Sequence, residues 1–437
     1  MSDTKPVNEL AAELNARLSE GGCQALSMLS ERGRRAFFPA RGILGQSAEA
    51  KGSEINATIG TAKEDDGSPL CLECLEAMLN VPSEAFLYAP SSGLPELRRK
   101  WGEMLSAKNP GLAGRRHSLP VVTNALTHAL YVAGLLFLDK GDRLIIPDLY
   151  WDNYELLFAE GCGAAFDTFQ TFDGDAFNVA ALRRELLADG DRKILLLNFP
   201  NNPTGYTVTD GEALAIRDAV REAAEAGKKV VVLIDDAYFG LVYEKGVFRE
   251  SIFSLLCDLH EGVLAVKLDG ATKEDYVWGF RVGFVTFGMK GLSDAQFKAL
   301  EDKAAGLVRA TISSATNIGQ RMLLQAYAHP DYAAQKAAKF ATLENRYRII
   351  RKIFADHPEY AESFVAMPFN SGYFMCVKPL GVDAEALRRH LLARHGTGTI
   401  MLAGLIRLAF SSVPADKLGK LFANIDAAVR ELKGAAK

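Results

Sequence analysis

Five short apolar runs, at 143–147, 193–198, 230–234, 263–267 and 281–287, recur through the middle of the chain with stretches of helical pattern between them. Their apolar residues do not alternate with polar ones, which suits strands covered on both faces, and strands that alternate with helices join into a mostly parallel sheet. The expected class is therefore α/β, a central sheet flanked by helices. One intervening helix is legible in detail. Thr209-x-x-Glu212 has the form of a capping box, Ala213, Ile216, Val220 and Ala223 recur at spacings of three and four, and Gly227 stands where the helix would end.

After His329-Pro330 the pattern changes. A long Ala/Lys/Arg-rich helix is predicted over 332–354, short strand-like runs over 371–378 and 405–410, and a final amphipathic helix over 414–433, which together suggest a smaller α+β unit. The expected division is 1–64 as an N-terminal segment forming part of the small domain, 65–330 as a large domain and 331–437 as the small C-terminal domain. At about 150 residues per domain, 437 residues accommodate that division.

Composition removes several function classes. A hydrophobic content of 49% supports a large core, and 50 Lys+Arg against 54 Asp+Glu leaves a net charge of −4, without the broad basic excess that nucleic-acid binding needs. The apolar stretch 129–138 is about half of what a membrane span requires, and the N-terminal residues lack the basic start and apolar block of a secretory signal, so a cytoplasmic protein without a membrane partner is expected. Cys23, Cys71, Cys74, Cys162, Cys257 and Cys376 are too sparse for a disulfide framework and read as reduced thiols. Cys71-x-x-Cys74 has no second pair to complete four ligands, and 70–79 reads as an amphipathic helix. The seven histidines form neither His-x-x-x-His nor His-Glu-x-x-His, so no metal is expected and His128 is read as local structure. A Gly-x-x-x-x-Gly-Lys-Ser/Thr phosphate loop is also missing.

In parallel α/β sheets ligands bind beyond the strand ends. Four such segments are suggestive: Phe199-Pro200-Asn201-Asn202-Pro203-Thr204-Gly205, Asp235-Asp236-Ala237-Tyr238, Asp269-Gly270-Ala271-Thr272-Lys273 and Gly279-Phe280-Arg281-Val282-Gly283. Singly, each has a plain reading: Asn-Pro-Thr-Gly as a turn, Lys273 as a solvated lysine, Asp235 as a helix cap, Arg281 as half of an ion pair. Their order and spacing together point to a cofactor site.

From about Asn56 to Phe410 the chain resembles the pyridoxal-phosphate-dependent aminotransferases of fold type I, class I, which include the aspartate and aromatic aminotransferases. The resemblance rests on Asn202-Pro203-Thr204-Gly205, Asp235-x-x-Tyr238, and Lys273 eight residues before Arg281. The chemistry accounts for these residue types: a lysine amine holds an aldehyde cofactor as an imine, and a protonated pyridine ring draws electrons from a carbanion. The resemblance implies that Lys273 is that lysine and the acid and base of proton transfer. It implies Asp235, with Asp236 as the alternative, as the partner of the ring nitrogen, and Asn202 and Tyr238 as donors to the ring hydroxyl oxygen. By the same likeness Arg281, Thr127 and Thr272 meet the phosphate, Trp151 stacks on the ring unless it is core packing, and Tyr88 reaches the phosphate of a neighbouring subunit, so a homodimer with shared active sites is implied. Arg407 matches the clamp on the substrate α-carboxylate, Ile59 and Gly60 the segment that closes over it, and Arg309 an arginine that crosses from the other subunit to a side-chain carboxylate, unless it is an ordinary interface residue.

Two departures from the family pattern bear on the phosphate. Ala125-Leu126-Thr127-His128 replaces a Ser-Gly-Thr cup, and Gly270 stands where a serine usually precedes the lysine by three residues. The expected activity is transfer of an amino group between an L-amino acid, aspartate or aromatic, and a 2-oxo acid, with glutamate and 2-oxoglutarate as one pair. A β-eliminating lyase or decarboxylase of the same fold is the alternative, and a ligand-sensing regulatory domain a remoter one.

Overall fold

The computed structural model describes residues 7–19, 34–35, 42–58, 60–76 and 83–435, so Cys23, Ile59 and the end of the helix expected at 70–79 lie outside the described residues. Seven strands form the larger sheet: β1 (Val121–Asn124), β2 (Arg143–Pro147), β3 (Ala165–Phe169), β4 (Arg192–Asn198), β5 (Lys229–Asp235), β6 (Val263–Gly270) and β7 (Val282–Gly288). Their order is β1-β7-β6-β5-β4-β2-β3, with the pairs among β2 to β6 parallel and β7 antiparallel to both its neighbours.

Side-chain parity explains why the strands read as unbroken apolar runs. Leu144, Ile146, Leu196 and Leu233 enter one buried cluster with Leu130 and Phe284, whereas Ile145, Leu195, Val232 and Ile234 enter a second with Ile216 and Val220. Alternate residues thus face opposite layers of helices, and both layers are apolar. Ile216 and Val220 belong to the helix Asp210–Glu225, whose Thr209–Glu212 capping box is formed and which is followed by Gly227 at φ 88°.

The smaller sheet comprises β8 (Phe364–Ala366), β9 (Met375–Pro379), β10 (Ile400–Leu402) and β11 (Leu405–Leu408), antiparallel in the order β8-β9-β11-β10. It packs with the helices Tyr332–Asp356, Ala384–His395 and Leu418–Ala435. Ile55–Asn56 pairs in parallel with Thr397–Gly398, which carries the N-terminal segment to this end of the molecule. No helix among the described residues is long and apolar enough to cross a membrane.

Several boundaries differ from the sequence expectation for local reasons. The helix expected from 70 begins at Glu73, because the Leu70 N–H bonds to the Ala62 carbonyl and holds that stretch extended. The strand expected from 371 begins at Met375: Asn370 and Ser371 donate backbone N–H bonds to the Gly205 carbonyl, and Gly372 turns the chain at φ 71°. Arg281 stands outside β7 in the left-handed region, φ 54°. The last helix starts at Leu418, after a 3-10 turn at Ala415–Lys417.

Candidate active site

Asn198 and Asp235 are the last residues of β4 and β5 and stand opposite one another in register. Lys273 lies on the helical turn Ala271–Glu274 directly after β6. Above these ends opens a cavity of ≈ 390 Å³, reached also by Thr127, Trp151, Asn202, Tyr238, Gly60 and Arg407. Residues from three parallel strands, the Asn-Pro-Thr-Gly turn and the small sheet therefore converge, as the rule for strand ends in α/β sheets requires.

Asp235 is buried, and two donors hold its carboxylate: the Ala237 N–H on Oδ1 at 3.0 Å and the Tyr154 hydroxyl on Oδ2. Burial raises its pKa to about 6, against the opposing pull of those two bonds and of the Lys273 charge. Burial likewise lowers Lys273 to about 8; the Asp235 charge opposes that shift and the Arg281 charge adds to it. The Lys273 Nζ stands 5.0 Å from the centre of the Tyr238 ring. Its turn is anchored from behind, where Glu274 pairs with Lys108 and Lys336, and Asp275 accepts from Tyr327, Tyr332 and Lys336.

Asp236 is not the alternative partner. Its carboxylate turns away from the cavity to the buried Lys267, at 2.5 Å, and to the Ser251 hydroxyl.

Arg407, buried on β11, lies 4.4 Å from the centre of the Phe374 ring. It donates to Asn202 Oδ1 at 3.0 Å and to the Thr58 carbonyl at 3.2 Å, while its Nε has no partner among the described residues. Because Asn202 Oδ1 is the acceptor in that bond, its Nδ2 is the group left to donate to a ligand. Asn202 itself is placed by its N–H bond to Asn198 Oδ1, and Asn198 Nδ2 bonds the Asp235 carbonyl, both at 2.8 Å. Gly205 of the same turn is required: a Cβ there would sit 1.9 Å from the Phe374 carbonyl oxygen.

The helix Ala125–Phe137 presents its N-terminus beside Lys273, with Leu126 and Thr127 on the cavity wall. Ala125 takes φ 61°, and Gly283 admits the helix end so closely that a Cβ would meet Leu126 N at 2.8 Å. The same tightness explains Gly270. A side chain there would meet the Val282 carbonyl at 2.7 Å, so this packing leaves no room for a serine. Thr272 is buried outside the cavity lining, and its Oγ1 lacks a partner among the described residues. His128 is local structure, as expected: Nδ1 accepts from the Asn124 N–H and Nε2 donates to Thr311 Oγ1, which itself donates to the Leu307 carbonyl.

Three other expected residues stand apart from the cavity within this one chain. Arg281 is exposed but near enough for its charge to lower the Lys273 pKa. Tyr88 is 91% exposed, and Arg309 is exposed and donates to Ser313 Oγ. Sequence reasoning missed Tyr154, Asn198, Thr58 and the wall residues Ile43 and Ser47. Asn198 had a usable signal, since it ends a strand as Asp235 does. Tyr154 had only its place three residues after Trp151, where the two rings meet edge to face at 5.6 Å.

The donor set fits a phosphorylated pyridine aldehyde. An amine of lowered pKa faces a buried carboxylate whose oxygens each keep a lone pair, a helix N-terminus with Thr127 on the cavity wall lies ready for an anion, and the Asn202 amide is free to donate. The profile of the aminotransferase class I and II family matches residues 54–425. An aspartate aminotransferase from Geobacillus stearothermophilus is 26% identical over 326 residues, 74% of this chain and 73% of its own length. Among solved structures, an aminotransferase from Anaerococcus prevotii superposes with a TM-score of 0.80 at 24% identity, covering 92% of this chain and 99% of its own. A Pyrococcus horikoshii kynurenine aminotransferase in complex with PMP does so with a TM-score of 0.76 at 17% identity, covering 95% and 99%. The chain thus belongs to the class I and II aminotransferases, and is a transaminase of fold type I that works with pyridoxal phosphate.

Proposed function

We propose that the enzyme exchanges an amino group between an L-amino acid, aspartate or aromatic, and a 2-oxo acid, with glutamate and 2-oxoglutarate as one pair. The observation that carries this reading is the meeting of Lys273, Asp235 and Arg407 in one cavity, drawn from two sheets. Pyridoxal phosphate, when bound, supplies the electron sink that stabilises negative charge at the substrate α-carbon.

Asp235 would hold the proton of the ring nitrogen, and its Tyr154 and Ala237 bonds keep it oriented for that task. Asn202 and Tyr238 would donate to the ring hydroxyl oxygen, Trp151 would cover one ring face, and Thr127, Thr272 and Arg281 would receive the phosphate. Arg407 binds the substrate α-carboxylate, for which its unpartnered Nε is a ready donor. Lys273 Nζ would take the proton from the substrate α-carbon and deliver it to the carbon of the cofactor's aldehyde group, and a pKa of about 8 leaves part of its amine neutral near pH 7. Gly60 lines the cavity and would border the substrate.

A homodimer completes the reading. Phe86, Leu87 and Tyr88 form an exposed apolar run, which supports burial against a second copy from which Tyr88 and Arg309 would enter the partner's site. The pairing of Ile55–Asn56 with Thr397–Gly398 supports grouping 1–64 with the small domain, 331–437, against the cofactor-binding domain, 65–330.

The deciding experiment adds single L-amino acids to the cofactor-loaded enzyme. Glutamate should bleach the visible cofactor absorbance and 2-oxoglutarate should restore it. Release of ammonia or carbon dioxide in place of that reversible change would refute transamination in favour of elimination or decarboxylation, and silence toward every amino acid would refute a catalytic role.

A further inference from the structure

Away from the cavity, three potential metal ligands converge between the helices Ala384–His395 and Leu418–Ala435. The Nε2 atoms of His390 and His395 stand 2.5 and 3.2 Å from the same carboxylate oxygen, Oε2 of Glu431. The three ligand atoms all lie within 4.8 Å of one another. We propose that His390, His395 and Glu431 bind a divalent transition metal of the zinc class, and that the ion clamps the last helix of the chain to the helix Ala384–His395.

Geometry favours this occupant. With metal–ligand bonds of about 2.0–2.2 Å, tetrahedral coordination sets neighbouring ligand atoms about 3.3–3.5 Å apart. His395 already stands at nearly that distance from the carboxylate oxygen, and His390 needs to withdraw by less than about 1 Å, well within rotamer freedom for side chains that are 24% and 48% exposed. Two imidazoles with one carboxylate select zinc, cobalt or nickel over magnesium and calcium, which prefer all-oxygen shells. Each imidazole would bind the ion through Nε2 with its hydrogen on Nδ1. The partly exposed face at Glu431 admits water as the fourth ligand.

The surroundings are suited to positive charge. His395 is the final residue of its helix, just before Gly396 at φ 55°, where the helix C-terminus concentrates partial negative charge. Three of the neighbouring cations are engaged elsewhere: Arg430 with Asp426, Arg389 with Glu385, and Lys433 with the Glu362 carbonyl. Local motifs could not show the site, since the histidines are five residues apart and the carboxylate lies 36 residues beyond the second.

The test uses untagged, cofactor-loaded enzyme, stripped by chelator and titrated with Co2+ and Zn2+. One equivalent of Co2+ per chain should give the intense visible bands of a tetrahedral site, and Zn2+ should raise the melting temperature by roughly 3 °C at a free concentration about a hundredfold above Kd. His390→Asn and Glu431→Gln should each weaken binding at least about tenfold and cut the zinc-dependent rise at the same free zinc concentration to about half or less. Circular dichroism of both variants checks that they are folded, and with two conservative changes on different helices one folding failure leaves the other informative. Absence of cobalt bands, or metal binding equal in wild type and variants, would overturn the proposal, the latter by placing the metal on the cofactor or the thiols.

Discussion

Replacing Tyr154 by phenylalanine removes one hydroxyl from a fully buried ring, and with it the donor to Asp235 Oδ2. The effect depends on the charge of Asp235. A hydrogen bond to an ionised carboxylate contributes about 1.5–3 kcal/mol and one to a neutral group about 0.5–1.5 kcal/mol, so the loss should be larger by ~1–1.5 kcal/mol when the carboxylate is charged. At 1.36 kcal/mol per pH unit, that difference moves the Asp235 pKa of the cofactor-free protein from about 6 to ~7. The sign follows from linkage. Burial raises the folded pKa above the unfolded 3.8, so the stability linked to this group is fully present below 3.8 and lost as pH rises through about 6. The variant extends that loss, so it should be destabilised more at pH 8 than at pH 5. Urea unfolding of the cofactor-free enzyme at the two pH values reads the difference directly. An equal loss at both would mean that Tyr154 acts through packing alone, and a greater loss at pH 5 would refute the assignment of the raised pKa to Asp235.

Gly270→Ser should not restore a phosphate ligand: its Cβ would meet the Val282 carbonyl at 2.7 Å and Gly283 Cα at 2.9 Å, for a cost of about 1–3 kcal/mol, and both melting temperature and cofactor retained after gel filtration should fall. Arg407→Lys keeps the charge but not the planar fork, so kcat/KM should drop at least about tenfold with the cofactor still bound, and an unchanged kcat/KM would remove Arg407 from the substrate carboxylate. Arg309→Ala should lose dicarboxylic substrates far more than aromatic ones in paired kinetic assays; equal losses would make Arg309 an ordinary interface residue.

Much of the site is legible in the sequence because its chemistry needs rare residue types at strand ends, and strand ends are marked by where apolar runs stop. Asn202, Asp235, Tyr238 and Lys273 each follow such a run within a few residues, and all reach one cavity. Arg407 lies on a short apolar strand of the other sheet, so its distance of 205 residues from Asn202 in sequence hid the bond between them. The strand at 282–288 was legible as a strand but not as the antiparallel member of the sheet, since direction depends on its neighbours β1 and β6.

Residue identity and order alone determined the α/β class, the capped helix after Thr209 and the family likeness, because these follow from periodicity and from residues within a few positions of one another. Tertiary structure decided the rest. Strand parity and pairing turn Asp235 toward Lys273 while Asp236 meets Lys267 from β6, and Tyr154, not adjacent in sequence, sets the environment of that carboxylate. Close approach of β6 and β7 leaves no space for a side chain at Gly270. Helix packing brings Glu431 to His390 and His395. In each case the deciding contact joins segments that local pattern cannot relate, and its energy depends on burial, which exists only once the layers have packed.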